Sequence, residues 1–190
     1  MRTESISLDD ERTTYALLLQ GINVGGHSPL PMTVLRNILR GLGFSDVRTY
    51  LQSGNAVFTT SLTAAQVAGV AANALGETLG RDVAVVVRTA DQLLGVVEGW
   101  PFDQAVDPTT KHVMFLRQAS DVERLGKLLQ ETMGPEQYWV RGTDIYQTRR
   151  KTPRFSEARC MGDPSMAGTG ATARNWNTVL ALRGLVSERR

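Results

Sequence analysis

Three short stretches of this chain carry residue types suited to holding a ligand. The first, Gly21-Ile22-Asn23-Val24-Gly25-Gly26, follows an apolar run and precedes a helical pattern, the place where α/β proteins grip phosphates with backbone amides. It matches neither familiar fingerprint. The dinucleotide pattern needs glycine at its first, third and sixth places and the P-loop needs a lysine after its last glycine, but Asn23 stands at the third place and His27 after Gly26. Gly25 and Gly26 suit an anion nest; a plain turn admitting positive φ is the simpler account of both. The second stretch, Gln52-Ser53-Gly54-Asn55, sets a hydroxyl, two carboxamides and bare backbone at a loop tip. A nucleophilic Ser53 needs a base, and His27 is the one histidine near it in the sequence. A hairpin turn by itself explains Gly54-Asn55. The third stretch, Thr172-Ala173-Arg174-Asn175-Trp176-Asn177-Thr178, opens the last helical pattern, with Thr172 or Asn175 as its cap. Arg174 beside the amides of a helix start suits an anion, and Gly168 and Gly170 upstream let a ligand approach. The structural alternative is that one of Asn175 and Asn177 caps the helix while the other ties down a loop.

Other chemistries find little support. A single cysteine, Cys160, precludes an internal disulfide, and with His27 and His112 alone beside it the chain lacks a Cys/His zinc set or the ligands for haem and iron–sulfur groups. Carboxylates are scattered, without spacing that argues for acid and base roles or for magnesium. No metal and no cofactor is therefore expected. Trp139, in the alternating run Gln137-Tyr138-Trp139-Val140-Arg141, invites comparison with the base-stacking aromatics of RNA-recognition sheets. Aromatics are only 6% of the chain and the clustered Phe, Tyr and Gly of that motif are absent, so Trp139 is expected in the core.

The net charge of +2 conceals an uneven distribution. Residues 1–140 hold 11 Lys and Arg against 15 Asp and Glu, a net of −4, whereas residues 141–190 hold 10 against 4, a net of +6. A basic last quarter attracts anions such as phosphates. At 42% hydrophobic and 21% charged over 190 residues, the chain can bury a core without staples, and it contains no apolar run long enough to span a bilayer. The polar start lacks a signal-peptide pattern, which points to a cytoplasmic protein with a solvated tail over 1–13.

The elements that must position the three stretches follow from hydrophobic periodicity. Residues 15–20 form an apolar run ending at Gly21, as a buried strand does. Met32, Leu35, Ile38, Leu39 and Leu42 recur at helical spacing up to Gly43. Two β-rich runs, 47–51 and 56–60, flank Ser53-Gly54-Asn55 and form a hairpin. A helix follows over 63–79 with Thr63 as its cap, then a strand over 82–88 and a helix over 90–98. The order strand, helix, strand, strand, helix, strand is the split βαβ pattern. It starts again with a strand at 111–117, a helix at 121–132 and strands at 137–141 and 144–148. A basic loop over 149–154, a helical stretch near 155–160 and a last helix over about 172–187 complete the chain. The fold class expected is α+β: two ferredoxin-like (α/β plait) halves, 14–99 and a shortened 100–190, whose antiparallel sheets are covered by helices, with a C-terminal helix. No sequence identity between the halves marks a duplication.

Residues 16–26, Pro31-Met32, residues 43–55 and residues 172–178 together resemble the bacterial domain of unknown function 1697 family. The resemblance covers about 15–185 and implies a two-part, plait-like α+β protein; it implies no activity and carries no catalytic residue across. Gln20 stands where the resemblance leads one to expect Arg. The leading functional expectation is a binding module in which Asn23, Gly25, Gly26, Gln52, Ser53, Asn55, Arg174, Asn175 and Asn177 converge on an electropositive cleft between the halves. That cleft takes a phosphate-bearing ligand, a nucleotide or RNA. Two alternatives stand beside it: an enzyme that orients a small polar metabolite without metal, and a structural or oligomeric protein whose Asn-rich loops brace the two halves. A monomer and a homodimer fit the sequence equally, and no membrane partner is expected.

Overall fold

The structure is a computed structural model that describes residues 12–23, 29–119, 122, 138–148 and 171–189. Strands β1 (Thr13–Leu19), β2 (Ser45–Tyr50), β3 (Asn55–Thr60) and β4 (Val85–Thr89) form an antiparallel sheet in the order β2-β3-β1-β4. Strands β5 (Lys111–Phe115), β6 (Tyr138–Arg141), β7 (Asp144–Thr148) and β8 (Thr172–Asn175) form a second, in the order β6-β7-β5-β8. Helices α1 (Met32–Gly41), α2 (Ala64–Leu79), α3 (Ala90–Glu98) and α4 (Trp176–Ser187) accompany them. The fold is thus mixed α+β in two halves, with a C-terminal helix.

Local chemistry sets the helix starts. Thr63 caps α2 and Thr89 caps α3 through reciprocal capping boxes with Gln66 and Gln92, which satisfy amides that have no partner within the first turn. Gly80 ends α2 in the left-handed conformation at φ 64°. The unbroken apolar run of β1 reflects burial on both faces. Leu17, Leu19 and Phe58 pack outward under Leu35 and Leu39 of α1 and Leu75 of α2. Ala16, Leu18, Val57 and Val86 point the other way and share one core with Val113, Phe115 and Tyr146 of the second sheet. Helices α3 and α4 pack against each other and enter that same core through Leu93, Val96, Trp176 and Val179. Met114, Ile145 and Ala171, with Val122 against them, lie on the remaining face of the second sheet.

The two sheets repeat each other in register as well as in order. Ala16 faces Arg88 across β1 and β4, and Val113 faces Arg174 across β5 and β8. Leu18 faces Asn55, and Phe115 faces Asp144. Since a slip of one residue turns every side chain to the opposite face, matched registers place Arg88, Arg174, Asn55 and Asp144 all on the face directed at the other half.

Two expectations need correction. Residues 172–175 do not open the last helix; they form β8, which completes the second sheet, and α4 starts at Trp176 with Asn175 as its cap. The free edge of β5 offers four residues of ladder pairing there, and tertiary pairing overrides the helical tendency of an Ala-containing stretch. The second sheet therefore has four strands like the first, each four or five residues long. Trp139 is not in the core either: it lies on the edge strand β6 and is 57% exposed, because no described element covers that end of the sheet's inner face. The helices expected over 121–132 and 155–160 and the basic loop at 149–154 lie outside the described residues.

Candidate functional site

Asn23 sits at φ 58° between β1 and α1, a backbone conformation that Asn tolerates better than most residues. Its Nδ2 donates to the Gln52 carbonyl at 2.6 Å and to the Leu30 carbonyl at 3.0 Å, while its Oδ1 accepts from the Leu30 amide at 2.7 Å. One side chain thereby joins the strand–helix loop to the β2–β3 hairpin. In that hairpin the turn spans 51–54, with Leu51 and Gly54 at φ 56° and 76°, and Asn55 is the first residue of β3. A side chain on Gly54 has no room, since its Cβ would lie 2.8 Å from Leu19 Cβ. Asn55 donates to the Tyr50 carbonyl at 2.8 Å and to Ser53 Oγ at 3.0 Å.

Arg174 reaches this hairpin from the other half. Its Nε donates to Asn55 Oδ1 at 2.5 Å, one terminal nitrogen to Thr172 Oγ1 and the Ala173 carbonyl, and the other to the carbonyls of Leu19 and Ser53. All five guanidinium N–H donors are engaged by protein oxygens. Arg174 is 7% exposed and Asn55 is 0% exposed, so this knot is closed to solvent. Burial without a carboxylate partner pulls the Arg174 pKa down to about 10.

The same construction recurs in reverse. Arg88 of β4 donates from Nε and a terminal nitrogen to Asp144 Oδ1 at 3.1 and 2.8 Å, and on to the carbonyls of Leu116, Thr143 and Val87. Leu116, Asp144 and Val87 take the parts that Leu19, Asn55 and Ala173 play for Arg174. Desolvation raises the Asp144 carboxyl above its ordinary range, with Arg88 pulling the other way.

Of the residues singled out in the sequence, Asn23, Gln52, Ser53, Asn55 and Arg174 come together in one connected network. Asn175 caps α4 by accepting from the Thr178 amide at 2.9 Å, and Asn177 is exposed one residue into that helix. Gly25 and Gly26 lie outside the described residues. Gln52 and Ser53 are exposed and Asn23 is half-buried; Asn23 and Gln52 line a recess of about 580 Å³ walled by Pro29, Leu30, Pro31, Met32, Thr33 and Arg36. A second recess, about 780 Å³, lies beyond Arg36 and is lined by Arg40, Asp46, Val47, Arg48, Thr59, Glu188 and Arg189.

Arg36 and Arg40 went unnoticed in the sequence, although their spacing of four on an amphipathic helix puts them on one side of it. Arg189 of the second recess lies just past the end of α4 and carries no sequence signal linking it to α1. Lys111, buried at 5.0 Å over the Trp100 ring, donates to the Gln104 carbonyl at 3.1 Å and so is held within the core. Among the described residues no group of three or more His, Cys, Asp or Glu is placed to hold a metal, and no helix is long and apolar enough to cross a membrane.

The family described as "Protein of unknown function (DUF1697)" matches residues 12–146. Among solved structures, the chain is similar to the conserved bacterial protein SP0830 from Streptococcus pneumoniae, with a TM-score of 0.72 and 21% identity over 92% of this chain and 99% of that one. At that identity the likeness concerns the fold. No curated protein matches. With β1, the β2–β3 hairpin and Asn23 all inside a match that spans most of the sequence, the chain belongs to the DUF1697 family.

Proposed function

We propose that this protein binds a phosphate-bearing small molecule in the recess of about 580 Å³ at the start of α1. The observation that carries the reading is its lining: Pro29, Leu30, Pro31 and Met32, the Gln52 carboxamide and the Arg36 guanidinium, with Asn23, whose two amide donors already meet the Leu30 and Gln52 carbonyls, bracing the rim. An apolar wall with a few convergent polar groups is the usual make-up of a small-ligand site. A nucleotide satisfies both chemistries, with its ring against Pro31 and Met32 and a phosphate on Arg36, whose fork suits phosphate oxygens. The size of the recess favours a nucleotide over a strand of RNA. Arg174, Ser53 and Asn55 take a bracing role in this reading, because every guanidinium donor of Arg174 already meets a protein acceptor. That deepens the cleft's foundations and moves the ligand to its solvent-facing rim.

The same reading takes each half, 14–99 and 100–190, as a ferredoxin-like plait. Its support is the strand order, which counted from β4 runs fourth, first, third, second, with the same order from β8. Binding is tested by thermal denaturation with a panel of nucleoside mono-, di- and triphosphates. A ligand at about 100 times its Kd adds roughly 2.7 kcal/mol, or about 5–11 °C at this chain length. Arg36→Ala is expected to abolish the shift while leaving the unliganded melting temperature within about 2 °C. A panel that produces no shift in the wild-type protein ends the proposal.

A further inference from the structure

We infer that the neighbouring recess of about 780 Å³ is a site for a chain of two or more phosphates, and that Glu188 is its built-in competitor. Four arginines line it, Arg36, Arg40, Arg48 and Arg189, against two carboxylates, Asp46 and Glu188. The inference deepens the reading above, since Arg36 is common to both recesses.

Three features of the fold assemble this cluster. Arg36 and Arg40 lie one turn apart on α1, which packs against β2. The β2–β3 ladder shifts register between Ser45 and Arg48, with Asp46 at φ 52°, and a bulge of this kind re-aims side chains at a sheet edge. Arg189, just past the end of α4, donates to the Leu185 carbonyl and, at 3.3 Å, to the Asp46 carbonyl, which fixes it beside the bulge. With four arginines against two carboxylates the cluster is short of negative charge; burial, and after it the like charge of Arg48, hold the Arg189 pKa below its ordinary value, while Asp46 and Glu188 oppose them.

Glu188 supplies part of that charge at a poor place for it. It is the C-cap of α4, where the helix dipole disfavours a carboxylate, and its contact with Arg48 at 2.9 Å joins side chains that are 58% and 59% exposed. An exposed pair of this kind is easily exchanged. A phosphate oxygen pair offers Arg48 the same geometry with more charge, and a second phosphate reaches the remaining guanidinia, which a single orthophosphate leaves unmatched. Displacing Glu188 therefore opens the site without disturbing the core.

The experiment measures binding of orthophosphate, diphosphate and tripolyphosphate to the full chain by titration calorimetry at low and moderate salt. Tripolyphosphate is expected to bind best and orthophosphate worst, with affinity falling as salt rises. Arg48→Ala and Arg189→Ala each weaken tripolyphosphate binding by roughly threefold to tenfold. Glu188→Gln tightens it by a similar factor, an effect that a merely structural Glu188 cannot produce. Equal binding by wild type and Glu188→Gln, weaker binding by Glu188→Gln, or indifference to both arginine variants overturns the inference. So does binding of a single-stranded RNA that tripolyphosphate fails to displace. Arg48 and Arg189 line this recess and not the apolar one, so loss of tripolyphosphate binding in their variants reports on this site, whereas a nucleoside monophosphate that binds both variants as it binds wild type reports on the apolar recess; either proposal can fail without the other.

Discussion

Arg88 and Arg174 hold the same place in the two halves: each is the residue before the N-cap of the helix that follows its strand, and each crosses to the opposite hairpin. The exchange differs in one chemical respect. Arg88 meets a carboxylate, Asp144, where Arg174 meets a carboxamide, Asn55. A buried guanidinium among neutral oxygens is tolerable only if every N–H has an acceptor, and both arginines are arranged around carbonyls for that reason.

Removal of the Arg174 side chain leaves Asn55 Oδ1 and the carbonyls of Leu19 and Ser53 without this donor. Arg174→Ala is expected to cost about 3–5 kcal/mol and to lower the melting temperature by roughly 6–20 °C. Arg174→Lys keeps the charge but not the fork and should recover little of the loss. Thermal and urea denaturation of the three proteins checks this.

Asp144→Ala strands the buried Arg88 cation and is expected to cost about 3–5 kcal/mol. Asp144→Asn reproduces the acceptor that Asn55 already provides to Arg174, so its cost should be less than half of that. Equal losses in urea denaturation would show that the two clamps are not equivalent.

Gly54→Ala combines a left-handed φ of 76° with a Cβ that would lie 2.8 Å from Leu19 Cβ. The expected loss is about 2–4 kcal/mol. Gly80, at φ 64° with nothing within 4 Å of a built Cβ, supplies the control, with a loss of about 1–2 kcal/mol from backbone strain alone.

Burial pushes the Tyr146 hydroxyl up to about 12, with Asp144 adding to the rise and Arg141 opposing it. Between pH 10 and about 12 the unfolded chain loses this proton and the folded one keeps it, so the contribution of Tyr146 to stability falls as pH rises through that window. Absorbance titration should show a tyrosine step near pH 12, and Tyr146→Phe should remove that step and flatten the alkaline loss of stability.

Much of the scaffold was legible because its signals are local. Thr63 with Gln66 three residues on announces the α2 cap, and the helical spacing from Met32 to Leu42 announces α1. Residues 172–175 were misread for the complementary reason: what makes them a strand is β5, some sixty residues earlier in the chain, and nothing in the tetrapeptide itself refers to it. Trp139 shows the same limit, since alternation places a side chain on a face of the sheet but does not say whether that face is covered at its edge.

The sequence by itself determined the alternation of strands and helices, the family, and the set of polar residues that would meet. Whether Arg174 and Asn55 face a ligand or each other was settled only in three dimensions, because a guanidinium and a carboxamide offer the same donors and acceptors to a phosphate as to a neighbouring strand. Their contact spans 119 positions, and which partner they take depends on how two sheets are brought together across their shared core. The arginines of the second recess, Arg36, Arg40, Arg48 and Arg189, come from a helix, an edge strand and the turn after α4, and only packing puts them around one recess.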